Sequence, residues 1–481
     1  MIKNSHISDL ISKASATLCL VSVVAFSACS DKDDFTTDSG YKLRYSTDTL
    51  AFEPLITEQT TSTRAIMVYN KSGKDIRVDN IALESPDNNF QINVDGRNGS
   101  SFDNIEIRDN DSLFIYVRAQ PAEAADHNSV IINDKIVFTY NDNREEIVLN
   151  AVAQNAMIVR GLTISNDTTW TNEQPILVFD SLKVANGATL TIKQGTEILF
   201  HNGAIFQVDG KIDVRGNASN PVLMSGDRYD KLTSSIPYTR LADQWQGIHI
   251  TESSYGNIIE GAYIISTTFG IKIDSTATQS DEYKLMMNAC MLRTASEGVL
   301  TSYGANIYIS NSVLANGGYR NVWIEGGDCI FNHCTITCYS STRMYGSLCL
   351  GSNYGNPLTR ADVNNCIIYG SVRQELNLGN EEGQADTTSG FKYRLKNCLL
   401  ADVYYTKDTT NFVDCVRNKA ASYTRINGDY LYYDFHISEN SAAIGIGSPD
   451  VIMQYQECMF DLDGNPRLNS IDAGAYAFIS E

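Results

Sequence analysis

From residue 41 to about residue 156 short apolar runs alternate with polar turns: TLAFEPL, RAIMVYN, KSGKDIRVDNIAL, NFQINV, DSLFIYVRA, DKIVFTY and EEIVLNAVA. In IRVDNIAL and LFIYVRA apolar side chains recur at every second position, the period of a strand with one buried face. Seven runs of this kind in roughly 115 residues predict an antiparallel β-sandwich over 41–156. No stretch after the N-terminus carries the 3.6-residue period of a helix.

Beyond residue 157 the pattern becomes a repeat. Ala262 (EGAYI), Cys290 (NACML), Val313 (NSVL), Cys334 (NHCTI), Cys366 (NNCII) and Cys398 (KNCLL) recur at spacings of 28, 23, 21, 32 and 32. A second register, Gly247 (GIHI), Gly270 (GIKI), Gly298 (GVL) and Asn321 (NVWI), follows at spacings of 23, 28 and 23. Two registers in step predict a parallel β-helix over 157–481, one coil per repeat and roughly ten coils, with equivalent positions stacked at the strand spacing of about 4.8 Å. In CTITC, Cys334, Ile336 and Cys338 then share the inner face, the threonines the outer, and His333 points outward. That geometry argues against a zinc site at FNHCTITC, because ligands must converge from one side. It also excludes a Cys334–Cys338 disulfide, since residues i and i+4 of a strand are roughly 13 Å apart. Asn311, Asn332, Asn364 and Asn397, near the strand before the cysteines, are candidates for an asparagine ladder.

Charge narrows the partners. A formal net charge of −20 leaves no basic stripe for nucleic acid, and it disfavours anionic polysaccharides unless a local basic patch or bound calcium offsets it. Residues 1–28 read as a targeting segment: Lys3 and Lys13 precede or flank a short apolar run from Ala14 to Ala25, which ends in FSAC.

FSAC, residues 26–29, resembles the lipobox of bacterial lipoproteins, with Phe26 where that family more often has Leu. The resemblance implies cleavage before Cys29, lipidation of Cys29, a tether over 29–40, and outer-membrane, surface localisation. Ser30, Asp31, Lys32, Asp33 and Asp34 look like the acidic export tag of Gram-negative surface lipoproteins. The 41–156 segment resembles immunoglobulin-like modules of such proteins. VANGATLTIKQGTEILFHNGAIFQVDGKIDVRGNASNPVLMSGD, followed by WQGIHI at 245, is similar to the opening coils of right-handed parallel β-helix proteins of the pectin-lyase-like superfold. This likeness implies an inward set of Leu190, Ile192, Ile198, Phe200, Phe206, Val208, Ile212, Val214, Val222 and Met224, with Gly195, Gly210 and Gly216 at corners needing positive φ. FDLDGNPRLNSIDAGAYAF at 460–478 resembles the closing segment of the same lipoproteins, so Asp461, Asp463 and Asn465 read as part of a cap rather than a calcium loop. Arg467 is expected on their carboxylates or on terminal carbonyls.

Three insertions, 274–284, 351–362 and 379–394, fall at one phase of the repeat, and insertions at one phase stack on one corner, where solenoids commonly bind. Tyr283, Tyr354 and Tyr393, within or beside them, are the expected sugar-stacking residues. A second Tyr-rich stretch, YTRINGDYLYY at 423–433, belongs to that surface or covers the C-terminal end. The expected function is glycan or surface-component binding, with no cofactor and no metal. A polysaccharide lyase or hydrolase is the alternative, needing outward carboxylates beside a base; His249, Glu260, Lys272, Arg293, Glu297, Arg320 and Glu325 are its outward candidates. An architectural or adhesive role is the third.

Overall fold

The computed structural model describes residues 35–53, 55–56, 63–85, 89–121, 130–275, 282–352, 356–379, 390–467 and 471–480. They form two compact units, one from the described residues of 35–52, 58–122 and 131–153, the other from those of 53–57, 123–130 and 154–481. Cys29 and Tyr354 lie outside the described residues, as do 276–281, 353–355 and 380–389 of the three insertions.

In the first unit one sheet orders Leu43–Tyr45, Arg64–Asn70, Ser112–Ala119, Phe90–Val94 and Arg97–Gly99. The path of the other runs Thr49–Ala51, Asn143–Gln154, Val130–Tyr140, Ile76–Leu83, Ser101–Ile107. Alternate residues are buried in both, among them Ile66, Val68, Ile115 and Val117 in one sheet and Val78, Ile136, Phe138 and Leu149 in the other. The two buried faces meet: the Tyr45 and Phe138 rings are 4.8 Å apart, and the Leu43 amide donates to the Tyr140 hydroxyl at 2.9 Å.

The second unit is built on long parallel sheets. Val222–Gly226 starts one coil, Gly247–Ile250 and Asn257–Glu260 continue it, and Ala262–Thr267 returns to pair with Val222–Gly226, Val222 facing Ala262 and Met224 facing Ile264. Repetition of this circuit makes three ladders, called first, second and third here in that order. The third has ten strands, from Thr168–Trp170 to Phe412–Val413. This all-β arrangement is compatible with a parallel β-helix. Every residue of the expected inward set is fully buried, and Trp245 stacks on Phe200 at 4.0 Å while its Nε1 donates to the Ile265 carbonyl at 2.9 Å.

The corner between third and first ladders explains the cysteines. Gly261, Ala289, Asn311, His333, Asn365, Asn397 and Asp414 occupy one corner column, all with φ between +47° and +57°. Asn and Gly tolerate this left-handed region best. The next residue turns inward, giving the column Ala262, Cys290, Ser312, Cys334, Cys366, Cys398 and Cys415. Val313 was therefore expected one place too far along; Ser312 holds that storey, and Cys415 extends the column. In the second register Val299, not Gly298, is level with Gly270 and Asn321, since Ile271 faces Leu300 and Leu300 faces Val322.

These thiols are donors as well as fillers. Each reaches the carbonyl two residues back: Cys290 to Asn288 at 3.2 Å, Cys334 to Asn332 at 3.4 Å, Cys366 to Asn364 at 3.1 Å, Cys398 to Lys396 at 3.3 Å. Ser312 Oγ does the same to Ser310 at 2.6 Å. A small side chain with one donor suits a corner whose carbonyl would otherwise be buried unpaired. Burial pushes the Cys290 thiol up to about 12 and the Cys366 thiol well above its usual value. All the described cysteines are free.

The asparagine ladder splits in two. Asn364 Nδ2 donates to Asn332 Oδ1 at 3.0 Å in the strand-end column, whereas Asn311 and Asn397 belong to the corner column. His333 also needs correction. It does sit on the outside of the coil, yet it is fully buried, with Nε2 and Asn365 Nδ2 2.9 Å apart.

What buries it is the C-terminal segment, which runs back along the outer face of the first ladder instead of only closing the end. Phe435, Leu462, Ala475 and Tyr476 pack on Val313 and Ala315. Ala421, Ile437, Ala443 and Ala473 pack on Ile367 and Leu399. The corner column pins this strap: Asn311 Nδ2 donates to Glu457 O at 2.9 Å, Asn365 Nδ2 to Ser448 O at 3.0 Å, and Asn397 Nδ2 to Ile446 O at 3.0 Å. Thr335, expected on the outer face, is buried there beneath the strap and accepts the Ala475 amide at 3.0 Å.

Of the three corner glycines, Gly195 has φ = +72° as expected. Gly210 and Gly216 do not need positive φ; they are crowded. A Cβ on Gly210 would lie 2.2 Å from the Ala185 carbonyl oxygen, and one on Gly216 2.1 Å from that of Gly261. Neighbouring coils approach too closely there for any side chain.

Candidate functional site

The outward column of the second ladder passes through Gln207, His249, Lys272, Thr301, Trp323 and Cys349, one residue per coil. Strand alternation puts them on the face opposite the inward Ile248, Ile271 and Leu300. This face gathers aromatic rings.

Arg320 organises them. Its guanidinium lies 3.8 Å over the Trp323 ring, 5.2 Å from the Tyr319 ring and 5.5 Å from that of Tyr345. Tyr345 meets Tyr319 and Trp323 edge-on, at 5.7 and 5.2 Å. Trp323 is itself buried, and its Nε1 donates to Glu325 Oε2 at 2.8 Å. Tyr319 is 39% exposed and Tyr345 half-buried. Tyr319 and Arg320 both donate their amides to the Glu297 carbonyl at 2.7 Å, so a tight turn fixes the cluster. The arrangement is a braced aromatic surface: two tyrosine rings available at the edge, with cation–π contacts limiting their freedom.

Lower on the same face His249 Nε2 lies 2.8 Å from Asp274 Oδ2, and Asp209 takes Lys183 Nζ at 2.7 Å and Thr251 Oγ1 at 2.9 Å. Of the outward candidates for hydrolysis or elimination, the fold brings His249, Lys272, Arg320 and Glu325 to this face, with the Glu297 carbonyl at its edge. It does not bring Glu260, which pairs with Arg215 at 3.2 Å on the third ladder, or Arg293, which is on the first. Glu325 is fully buried, and Asp274 is engaged by His249.

Of the expected tyrosines, Tyr354 lies outside the described residues, and Tyr283 and Tyr393 do not share a surface. Tyr283 lies on the third ladder's outer face, 5.8 Å from the buried Tyr308 ring, which stacks on Tyr455 at 5.4 Å. Tyr393 packs on Phe391 and Phe412 at 5.4 and 6.1 Å, and its hydroxyl donates to Asp408 at 2.8 Å. It is level with Ala361 in an inward-facing column, four coils beyond Tyr283. The insertions do share one corner, each falling between a second-ladder and a third-ladder strand. Tyr319, Trp323 and Tyr345 went unnoticed in the sequence; the signal was an aromatic residue at an outward position of NVWI.

The aspartates at 461 and 463 hold no calcium-like array. Asp461 accepts the Asp463 and Asn465 amides at 3.0 and 2.7 Å and the Ala477 amide at 3.0 Å. Arg467 reaches carbonyls, those of Gly474 and Ala475 at 2.9 and 3.0 Å, and not the carboxylates. Among the described residues no group of three or more His, Cys, Asp or Glu is placed to hold a metal.

Asp463 has another partner. His436 Nε2 lies 2.7 Å from Asp463 and Nδ1 2.5 Å from Asp434, with the imidazole stacked 3.8 Å from the Tyr476 ring. Asp463 and Asp434 push the His436 value from 6.5 to about 9. A raised value means that the folded chain holds the proton more tightly. The stabilisation is then full below about 6.5 and is lost as pH rises through about 9. The denaturation midpoint is expected to fall across that window in the wild type and to stay flatter in His436→Gln; parallel curves for the two proteins would rule the clamp out.

No family model matches the chain, and no curated protein matches it. Among solved structures, a protein of unknown function from Porphyromonas gingivalis W83 aligns at 16% identity over 25% of this chain and 50% of its own, with a TM-score of 0.18. The PapD-like domain 7 of human CEP192 aligns at 8% identity over 26% of this chain and 92% of its own, TM-score 0.17. A family 123 glycoside hydrolase from Clostridium perfringens aligns at 11% identity over 24% of this chain and 26% of its own, TM-score 0.18. The chain thus spans about half of the first and a quarter of the last.

Proposed function

We propose that this chain is a surface lipoprotein, anchored through Cys29, that binds a glycan on the outer face of its second ladder. In this reading the second unit is a right-handed parallel β-helix of the pectin-lyase-like kind, and the first an immunoglobulin-like spacer. Right-handedness accords with the near-universal hand of parallel crossover connections.

The observation that carries the proposal is the Tyr319–Arg320–Trp323–Tyr345 cluster. Sugar rings present C–H faces that stack on aromatic rings, and rings already held in place lose little freedom on binding. Glycan cleavage is less well supported, because the Glu325 carboxylate is buried and the Asp274 carboxylate is paired. On a glycan array, Tyr319→Ala with Tyr345→Ala is expected to lower retention at least tenfold with circular dichroism unchanged, and Cys29→Ser to abolish fatty-acid incorporation. Undiminished retention in the double variant would refute the site; continued acylation of Cys29→Ser would refute the anchor.

A further inference from the structure

On the first ladder's outer face, Arg293 stands between Ile265 and Ala315 in register. Ala315 is covered by the strap, so Arg293 borders the strap's edge. Its Nε is buried without a hydrogen-bond partner, and its guanidinium forms no ion pair among the described residues. The groups that bear on it electrostatically are Tyr476, Arg240, Tyr263 and Tyr432: three phenols and a second cation. Burial first, and Arg240 after it, pull the Arg293 value down.

Further cations lie in the same neighbourhood. Arg240 donates to the Tyr430 carbonyl at 3.1 Å and lies 4.7 Å from the Tyr432 ring centre. Arg425 lies 4.7 Å from the same ring. The nearby carboxylates of Asp434 and Asp463 are hydrogen-bonded to His436. Two guanidiniums that repel each other electrostatically, one with a buried unpaired nitrogen, destabilise the fold unless an anion joins them. In a chain of net charge −20 such a cluster has no role in general solubility.

We propose that Arg293 and Arg240, with Tyr432 beside them, form a receptor for an oxyanion: a carboxylate or sulfate group carried on a larger ligand. The planar guanidinium fork matches both groups with two parallel hydrogen bonds, and the phenols of Tyr263 and Tyr432 supply further donors within the same neighbourhood. The receptor stands on a different ladder from the aromatic cluster, and the proposal does not rest on that reading.

Thermal unfolding of the full chain at constant ionic strength tests it, with sodium glucuronate, sodium sulfate and neutral glucose as probes. A saturable rise in Tm is expected with glucuronate, sulfate or both, and none with glucose; which anion acts assigns the ligand class. Arg293→Gln and Arg240→Gln should each weaken the response at least tenfold, while Tyr319→Ala with Tyr345→Ala should leave it intact. Without ligand, Arg293→Met should melt at or above the wild-type temperature, since it removes an unpaired charge. Equal responses to glucose and the anions, an undiminished response in Arg240→Gln, or a lowered unliganded Tm in Arg293→Met would each overturn the proposal.

Discussion

Arg343→Met is expected to lower stability by about 3–5 kcal/mol, among the largest effects of any single substitution in the coils. Arg343 and Glu375 lie in the turns between first and second ladders of successive coils, with side chains 7% and 0% exposed. The contact is bidentate, Nη1 to Oε2 at 2.7 Å and Nη2 to Oε1 at 3.0 Å. The same carboxylate accepts Ser347 N and Oγ at 3.0 and 2.8 Å and Val372 N at 3.0 Å. Space around it is tight: a Cβ on Gly370 would come 2.3 Å from Glu375 Oε1. Removing the cation leaves a carboxylate with no counter-charge and no route to water. Removing both charges leaves none, so Arg343→Met with Glu375→Met should cost less than Arg343→Met alone. Denaturant titration of the two singles and the double measures this, and additive losses would show that the pair is not coupled.

The second large effect is expected at the strap. Gly474 has φ = +99°, and a Cβ there would meet Ile367 Cδ1 at 2.6 Å and Thr335 Oγ1 at 2.8 Å. Its amide donates to the Asn365 carbonyl at 2.8 Å. Gly474→Val therefore combines backbone strain with a clash against the coil. Lifting the strap uncovers Val313, Ile367 and Leu399, whose burial is worth roughly 1.5–3 kcal/mol apiece. Limited proteolysis should cut within residues 419–480 at least tenfold faster than in the wild type, with dye binding to newly exposed apolar surface. A cleavage rate unchanged from wild type would mean that the strap is not held by this contact.

The coil was legible in the sequence because its signals are local. Alternation in LTI, IFQV and KIDV marks the inner face, and small residues recur where the chain turns inward at Cys290, Cys334, Cys366 and Cys398. The one-residue error at Val313 arose because Ser312 and Val313 are both small enough for the corner, and only the hydrogen bond to Ser310 separates them. Alternation says which face a residue takes, not whether another part of the chain lies on that face. Thr335 and His333 were thus read only as outward, though a segment more than a hundred residues away covers them. The strap lacks the period of the coils because its partners are set by the surface beneath it. The tyrosines at 283 and 393 flank insertions at one corner, yet Tyr393 takes the inward position held by Leu285 four coils earlier, whereas Tyr283 stands two residues ahead of that position and before its strand begins, with its ring against the outward Tyr308. The braced cluster at Tyr319 and Tyr345 came from two different turns, and no spacing within either announces the other.

The strap also acts as a gauge. Its grips at Ile446, Ser448 and Glu457 meet Asn397, Asn365 and Asn311, so the distance between grips must match a fixed number of storeys. Inserting a whole coil between Cys334 and Cys366 would preserve every ladder register yet displace the upper grips by about 4.8 Å. The number of coils beneath the strap is therefore locked by the length of the strap, and lineages that lengthen this stretch of the solenoid would have to lengthen its fastening in the same step.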